Sequence, residues 1–173
     1  MWVASEPGSG STFSFTLPVY SLAKLLFPLV THQGRLREAI VLLRVDLRPR
    51  SQPPRGNWKD ACRRSLELLE RCVYVDKDLV LPPMTPSGAE QTFFVVASTD
   101  LTRAEIMMTR IRGQMGQLPE LNASGDFELS ASEVPLPDPA AGQSLEQQVQ
   151  EVATRVTEMV HTILGPQLEA TQE

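Results

Sequence analysis

From Ile40 to Leu47 nearly every position is apolar, broken only by Arg44 and Asp46. Apolar residues on both alternating faces predict a central strand over 39–47, buried on both sides. Phe93, Phe94, Val95 and Val96 predict a second strand of this kind over 92–97. The pattern differs at 127–134, where Phe127, Leu129 and Ala131 alternate with polar residues, as in a half-exposed strand. A short strand is expected over 78–81. Helical spacing of Ala61, Leu66, Leu69 and Val73 predicts a helix over 58–73, with Asn57 as N-cap. A second helix runs from a cap at Asp100 or Thr102 to about Met115 and is expected to bury Ile106, Met107 and Ile111. The last begins at Ser144, with Gln147 three residues on in capping-box spacing. Its stripe is Leu145, Val149, Val152, Val156, Met159, Val160 and Ile163, and Gly165-Pro166 ends it.

The amino-terminal fifth has a different texture. Residues 2–4 and 12–17 read as two strands, joined by a turn at Glu6-Pro7-Gly8-Ser9-Gly10. A lone two-stranded hairpin is marginal in water, so this one calls for a partner sheet. Residues 20–36 read as a connector, with a short helix over 21–27 that stops at Pro28. Helices interleaved with strands predict an α/β chain of the α+β sandwich type: a mostly antiparallel central sheet with helices packed on it, preceded by an orphan β-hairpin. The expected division is a hairpin (1–19), a linker (20–35), an α/β domain (36–165) and a tail (166–173).

Composition narrows the partners. The 173 residues are 42% hydrophobic, which suffices for a packed core, and the net charge of −5 offers no basic footprint for nucleic acid. The same acidity disfavours an anionic membrane surface, and no stretch reaches the roughly 18 apolar residues of a membrane span. No signal peptide is visible. Cys62 and Cys72 stand ten apart, outside any CxxC spacing, and read as free thiols of a reduced, cytoplasmic protein.

The string Trp2-Val3-Ala4-Ser5-Glu6-Pro7-Gly8-Ser9-Gly10-Ser11-Thr12-Phe13-Ser14-Phe15-Thr16-Leu17-Pro18 closely resembles the end of histidine-kinase ATPase domains. The family pattern there is a strand, S-x-P-G-x-G-S-T-F, and a closing strand ending in L-P. The resemblance covers about a tenth of the chain. It implies that Gly8 and Gly10 shape the turn and that Ser11 and Thr12 lie near the ATP site of a parent kinase that uses ATP and Mg. The boxes that carry Mg-ATP and the phosphoacceptor would precede Met1, so the fragment itself is expected to need no cofactor and to hold no catalytic residue and no metal.

The remainder resembles, more loosely and in element order, a GGDEF-type domain of the nucleotide-cyclase fold, which is ferredoxin-like. Ile40 to Leu47 is similar to the family's first strand, which ends in D-x-D, and Phe93 to Val96 to the strand after its signature hairpin. The departures are large. Arg44 stands where the first metal-binding aspartate belongs if Asp46 takes the second place, and the signature itself is absent around Glu90. Cyclase chemistry needs carboxylates holding divalent metals against phosphates, so the resemblance implies a degenerate domain without cyclase activity. A regulatory role in a bacterial two-component system follows, with the kinase core and a response regulator as partners. The alternatives are a non-catalytic sensor of GTP or cyclic di-GMP and a stand-alone protein-binding domain; an active cyclase would have to rest on Asp46 and Glu90.

Other residues weigh less. His161 lacks the acidic neighbour and nearby proline of a phosphoacceptor, and His32 sits in a loop. Arg48, Arg50 and Arg55 beside Trp58 suit phosphates or an acidic partner but read first as a solvated loop. Glu67, Glu70, Asp76 and Asp78 read as a solvated face, and Met107, Met108 and Met115 as core filling.

Overall fold

The computed structural model describes residues 2–6, 10–14, 21–51, 54, 57–74, 76–82, 90–138 and 142–165, the first two segments by their backbone alone. At the amino terminus β1 (Trp2–Glu6) and β2 (Gly10–Ser14) pair antiparallel, Trp2 opposite Ser14 and Glu6 opposite Gly10. They form a two-stranded sheet of their own, as the turn chemistry predicts. Phe15, Leu17 and the turn residue Gly8 lie outside the described residues.

The segment expected as a linker is instead built into the fold. Helix α1 (Leu22–Val30) is capped by the Ser21 side chain and followed by a tight hairpin, β3 (Thr31–His32) and β4 (Arg35–Leu36). The helix does not stop at Pro28 but carries it. A proline in a helix interior costs about 3 kcal/mol through the missing N–H. Leu26, Leu29 and Val30 are buried, and at roughly 1.5–3 kcal/mol each they outweigh that cost. The hairpin turns at Gln33 (φ 49°) and Gly34 (φ 74°). Two consecutive left-handed residues match the right-handed twist of the flanking strands.

Strand β5 (Val41–Pro49) is the central strand. On one side it pairs with β7 (Gln91–Ala97), on the other with β8 (Gly125–Glu133), both antiparallel. The short β6 (Asp78–Val80) adds to the far edge of β7, giving an antiparallel four-stranded sheet in the order β6-β7-β5-β8. Helices cover both faces, so the molecule is an α+β sandwich in three layers.

One face carries Val41, Leu43, Val45 and Leu47 of β5 with Phe93, Val95 and Ala97 of β7. Against it lie α2 (Trp58–Cys72), α3 (Leu101–Met115) and the short α4 (Pro119–Ser124), which the sequence pattern did not foretell. The methionines at 107, 108 and 115 fill this core. The other face carries Ile40, Leu42, Phe94 and Val96 under α1 and α5 (Leu145–Leu164). The Ser144 capping box opens α5 as expected, and Gly165 (φ 67°) closes it. On this second face the β8 residues Asp126, Glu128, Ser130 and Ser132 are all exposed. The alternation of β8 and the continuous apolar runs of β5 and β7 thus have one cause: two layers of helices cover the middle strands and one covers the edge.

Two expectations fail locally. Ile106, expected in the core, is 71% exposed on α3, because the core-facing stripe runs through Ala104, Met107, Met108, Ile111 and Met115. Asp78, read as solvated, is buried at the start of β6.

Candidate functional site

The residues singled out from the sequence fall mainly into two places, and the fold assembles a third. Gly10, Ser11 and Thr12 stand on β2, opposite Glu6, Ser5 and Ala4. The second place is the polar end of the second sheet face. Successive face-sharing positions put Arg44 and Asp46 of β5 beside Thr92 of β7, which is paired with Asp46 in register. Asp46 is 8% exposed. Its Oδ1 accepts a hydrogen bond from Thr92 Oγ1 at 2.7 Å. Its Oδ2 lies 2.7 Å from Arg44 Nε. That second contact is an ion pair off the N–H direction, since the buried Nε–H makes no hydrogen bond. Both carboxylate oxygens are therefore engaged within the chain, and a divalent cation would have to displace Arg44. Glu90 precedes β7 and is exposed. Among the described residues no three His, Cys, Asp or Glu side chains gather as metal ligands.

Arg48 and Arg50 also have partners. Arg48 lies 3.6 Å from Glu128. Arg50 grips Asp126 through Nε and Nη2 at 3.2 and 2.8 Å and donates to the Asn122 carbonyl. This fork holds the Asp126 carboxyl below the usual carboxylate range. Trp58 is not an exposed stacking ring: it is buried over Gly125. Arg48, which belongs to β5 rather than to a loop, and Arg50 just after it tie the end of β5 to the start of β8. Arg55 lies outside the described residues. His161 is exposed on α5.

The third place came without a sequence signal. The β3–β4 hairpin, the residues after it and the β7–α3 turn enclose a cavity of about 630 Å³ lined by His32, Arg35, Arg37, Ser98, Thr99 and Arg103, among others. Arg37 Nε donates to the Leu29 carbonyl at 2.8 Å, which fixes its stem. Ser98 Oγ donates to the same carbonyl at 2.5 Å. Asp100 caps α3 by accepting from Arg103 N at 2.8 Å, and its other oxygen is 3.7 Å from Arg103 Nε. Arg35 pairs with His32 through its backbone, and its guanidinium makes no hydrogen bond or ion pair with any described residue.

Ser98, Thr99 and Arg103 also line a neighbouring cleft of about 270 Å³ with Tyr74, Lys77, Asp78, Ile106 and Arg110. Arg110 stacks over the Tyr74 ring at 5.3 Å and donates to the Cys72 carbonyl. Asp78 accepts the Tyr74 backbone N–H at 2.8 Å. Burial pushes its carboxyl above the usual range, against the pull of that hydrogen bond and of Arg110 and Lys77. The cysteines are free. Burial pushes the Cys62 thiol up to about 11, so it is protonated and unreactive at neutral pH.

Only topology reveals the groove. Its arginines come from 35, 37, 103 and 110; Arg35 lies in the stretch whose pattern reads as a connector, and Arg37 lies just beyond it. No helix among the described residues is long and apolar enough to cross a membrane.

Comparison with known proteins adds little. No family model matches the chain, and no curated protein does. Among solved structures it is similar to the de novo designed protein Foldit4, with 18% identity over 55% of this chain and 97% of the design. The TM-score of 0.35 makes this too loose a likeness to bear on fold or function.

Proposed function

We propose that this chain is the carboxy-terminal region of a cytoplasmic two-component sensor histidine kinase, and that its α+β sandwich is a regulatory module acting on the kinase core or its response regulator. The observation that carries this reading is the string from Trp2 to Pro18, whose order of turn and strand residues resembles the end of a histidine-kinase ATPase domain. The pairing of β1 with β2 across Pro7-Gly8-Ser9 is compatible with it. By the looser resemblance to a cyclase fold, Arg44 stands where the first metal-binding aspartate belongs if Asp46 takes the second place, and its guanidinium is paired with Asp46. That supports regulation rather than nucleotide cyclisation.

The reading makes a definite statement about phosphoryl transfer. Such transfer depends on placing a nucleophile and neutralising the phosphates, and in this proposal that apparatus belongs to the kinase core. The chain alone, incubated with labelled ATP and Mg, should acquire no label. Label on His32 or His161 would sink the assignment. Reading the genomic frame before the Met1 codon tests the parentage: histidine, asparagine and glycine boxes in frame are expected, and an in-frame stop close to Met1 would overturn it.

A further inference from the structure

The groove at the β7–α3 turn fits no role in that proposal and lies at the opposite end of β5 from Asp46, since Ser98 follows Ala97, the partner of Val41. Its charge is the reverse of the whole chain's. The two adjoining cavities are lined by five Arg or Lys (Arg35, Arg37, Lys77, Arg103 and Arg110) against three carboxylates, whereas the chain has 16 Lys and Arg to 21 Asp and Glu. Of those three carboxylates, Asp100 is spent on capping α3. Asp78 is buried and accepts a backbone N–H. Glu38 is the one left exposed on the wall.

The cations are differently committed. Arg37 is anchored through Nε alone, which leaves its terminal nitrogens as donors. The Arg35 guanidinium has no partner among the described residues. Among the described residues the Arg103 guanidinium has only the exposed, 3.7 Å contact with Asp100, worth little in water. Arginine forks converging from a hairpin and a helix start match the oxygens of a phosphate group. Beyond Arg103 the lining changes character. Tyr74 is 59% exposed and Ile106 71% exposed. Arg110 steadies the Tyr74 ring from one side. Large exposed apolar side chains beside a cationic pocket offer a platform for a flat ring.

We propose that this groove binds a phosphorylated small molecule carrying a planar ring, the phosphate among Arg35, Arg37 and Arg103 and the ring against Tyr74 and Ile106. Arg103, shared by both cavities, is the hinge of the arrangement. The site is independent of the kinase assignment: it requires no ATP turnover and no residue before Ser21.

Calorimetric titration of the whole chain with AMP and, separately, with inorganic phosphate tests it. AMP should bind more tightly than phosphate, and added salt should weaken both. Arg103→Glu should weaken both by at least about tenfold, the loss of one charge-assisted contact plus repulsion. Tyr74→Ala should weaken AMP by about fivefold, a typical stacking contribution, and leave phosphate unchanged. Arg103 and Tyr74 are exposed, so both variants should keep the wild-type melting curve. Arg35→Ala is a second charge variant, on the β3–β4 hairpin and outside the four-stranded sheet and helices α2 and α3. No heat from either ligand at millimolar concentration overturns the site. Binding that survives both Arg103→Glu and Arg35→Ala places it elsewhere, and phosphate binding as tightly as AMP removes the ring platform. None of these outcomes touches the labelled-ATP result.

Discussion

Gly125 shows how far one side chain is constrained by its neighbours. It opens β8, and a Cβ built on it would run into the Trp58 ring and come within 2.6 Å of the Arg48 carbonyl oxygen. Its backbone is extended (φ −161°), so the constraint is space and not conformation. Gly125→Ala should therefore cost about 1–3 kcal/mol, the usual range for overpacking, read as a lower urea midpoint with unchanged slope. Asp78 makes a prediction of opposite sign. Burial disfavours its carboxylate, so the folded chain holds that proton to higher pH than the unfolded chain does. The stability contributed by Asp78 is then complete below the ordinary carboxylate range and is lost as pH rises through the raised value. Asp78→Asn keeps an acceptor for the Tyr74 N–H and removes the charge. Its melting temperature should exceed that of the wild type at neutral pH, with the difference shrinking toward about pH 4. A difference independent of pH would mean that the carboxylate is solvated after all. Neither residue was legible in the sequence. A glycine at a strand start and an aspartate in a charged stretch take their meaning from the chain that folds over them.

Among elements, the long ones announced themselves and the short ones did not. The bounds of α2, α3, α5 and β7 follow from periodicity and caps, because each buries a whole stripe or a whole run, whereas β5 begins and ends two residues later than the span 39–47 expected for it. Helix α4 has only Leu121 buried, too little to leave a period. Helix α1 was foreshortened because a proline is a strong local signal and burial against α5 is a distant one. The consequence is a boundary. Leu26, Leu29 and Val30 cover the second sheet face together with α5. Their burial is worth roughly 5–9 kcal/mol, comparable to the whole stability of a typical domain. A chain of residues 21–165 should melt cooperatively. One of residues 36–165 should lack a sharp transition and bind a dye for exposed apolar surface. Equal stability of the two would return residues 21–35 to the status of a connector.

For the whole molecule, the antiparallel sandwich was legible because apolar runs on two strands require helices on both faces. The groove was not, since it joins side chains from four elements, and pattern within an element says nothing about charges meeting between elements. The same two-sided burial has a cost in specificity. Val41-Leu42-Leu43 and Val45 would suit either face, so sliding β5 by one residue exchanges one set of apolar side chains for another at little loss. What distinguishes the correct alignment is polar. A slip would take Asp46 away from Thr92 and carry Arg44 and Asp46 together into the methionine-rich core beneath α3, where a charge pair stripped of its hydrogen-bond partner is expensive. The pair thereby acts as a phase mark, fixing which way β5 is read rather than adding to its strength. Replacing Arg44 and Asp46 by leucine, together with Thr92→Val, should leave the chain as stable as before or more so. Its β5 amide resonances should then split into two sets or exchange readily. A single sharp set would show that the turns alone hold the strand in phase.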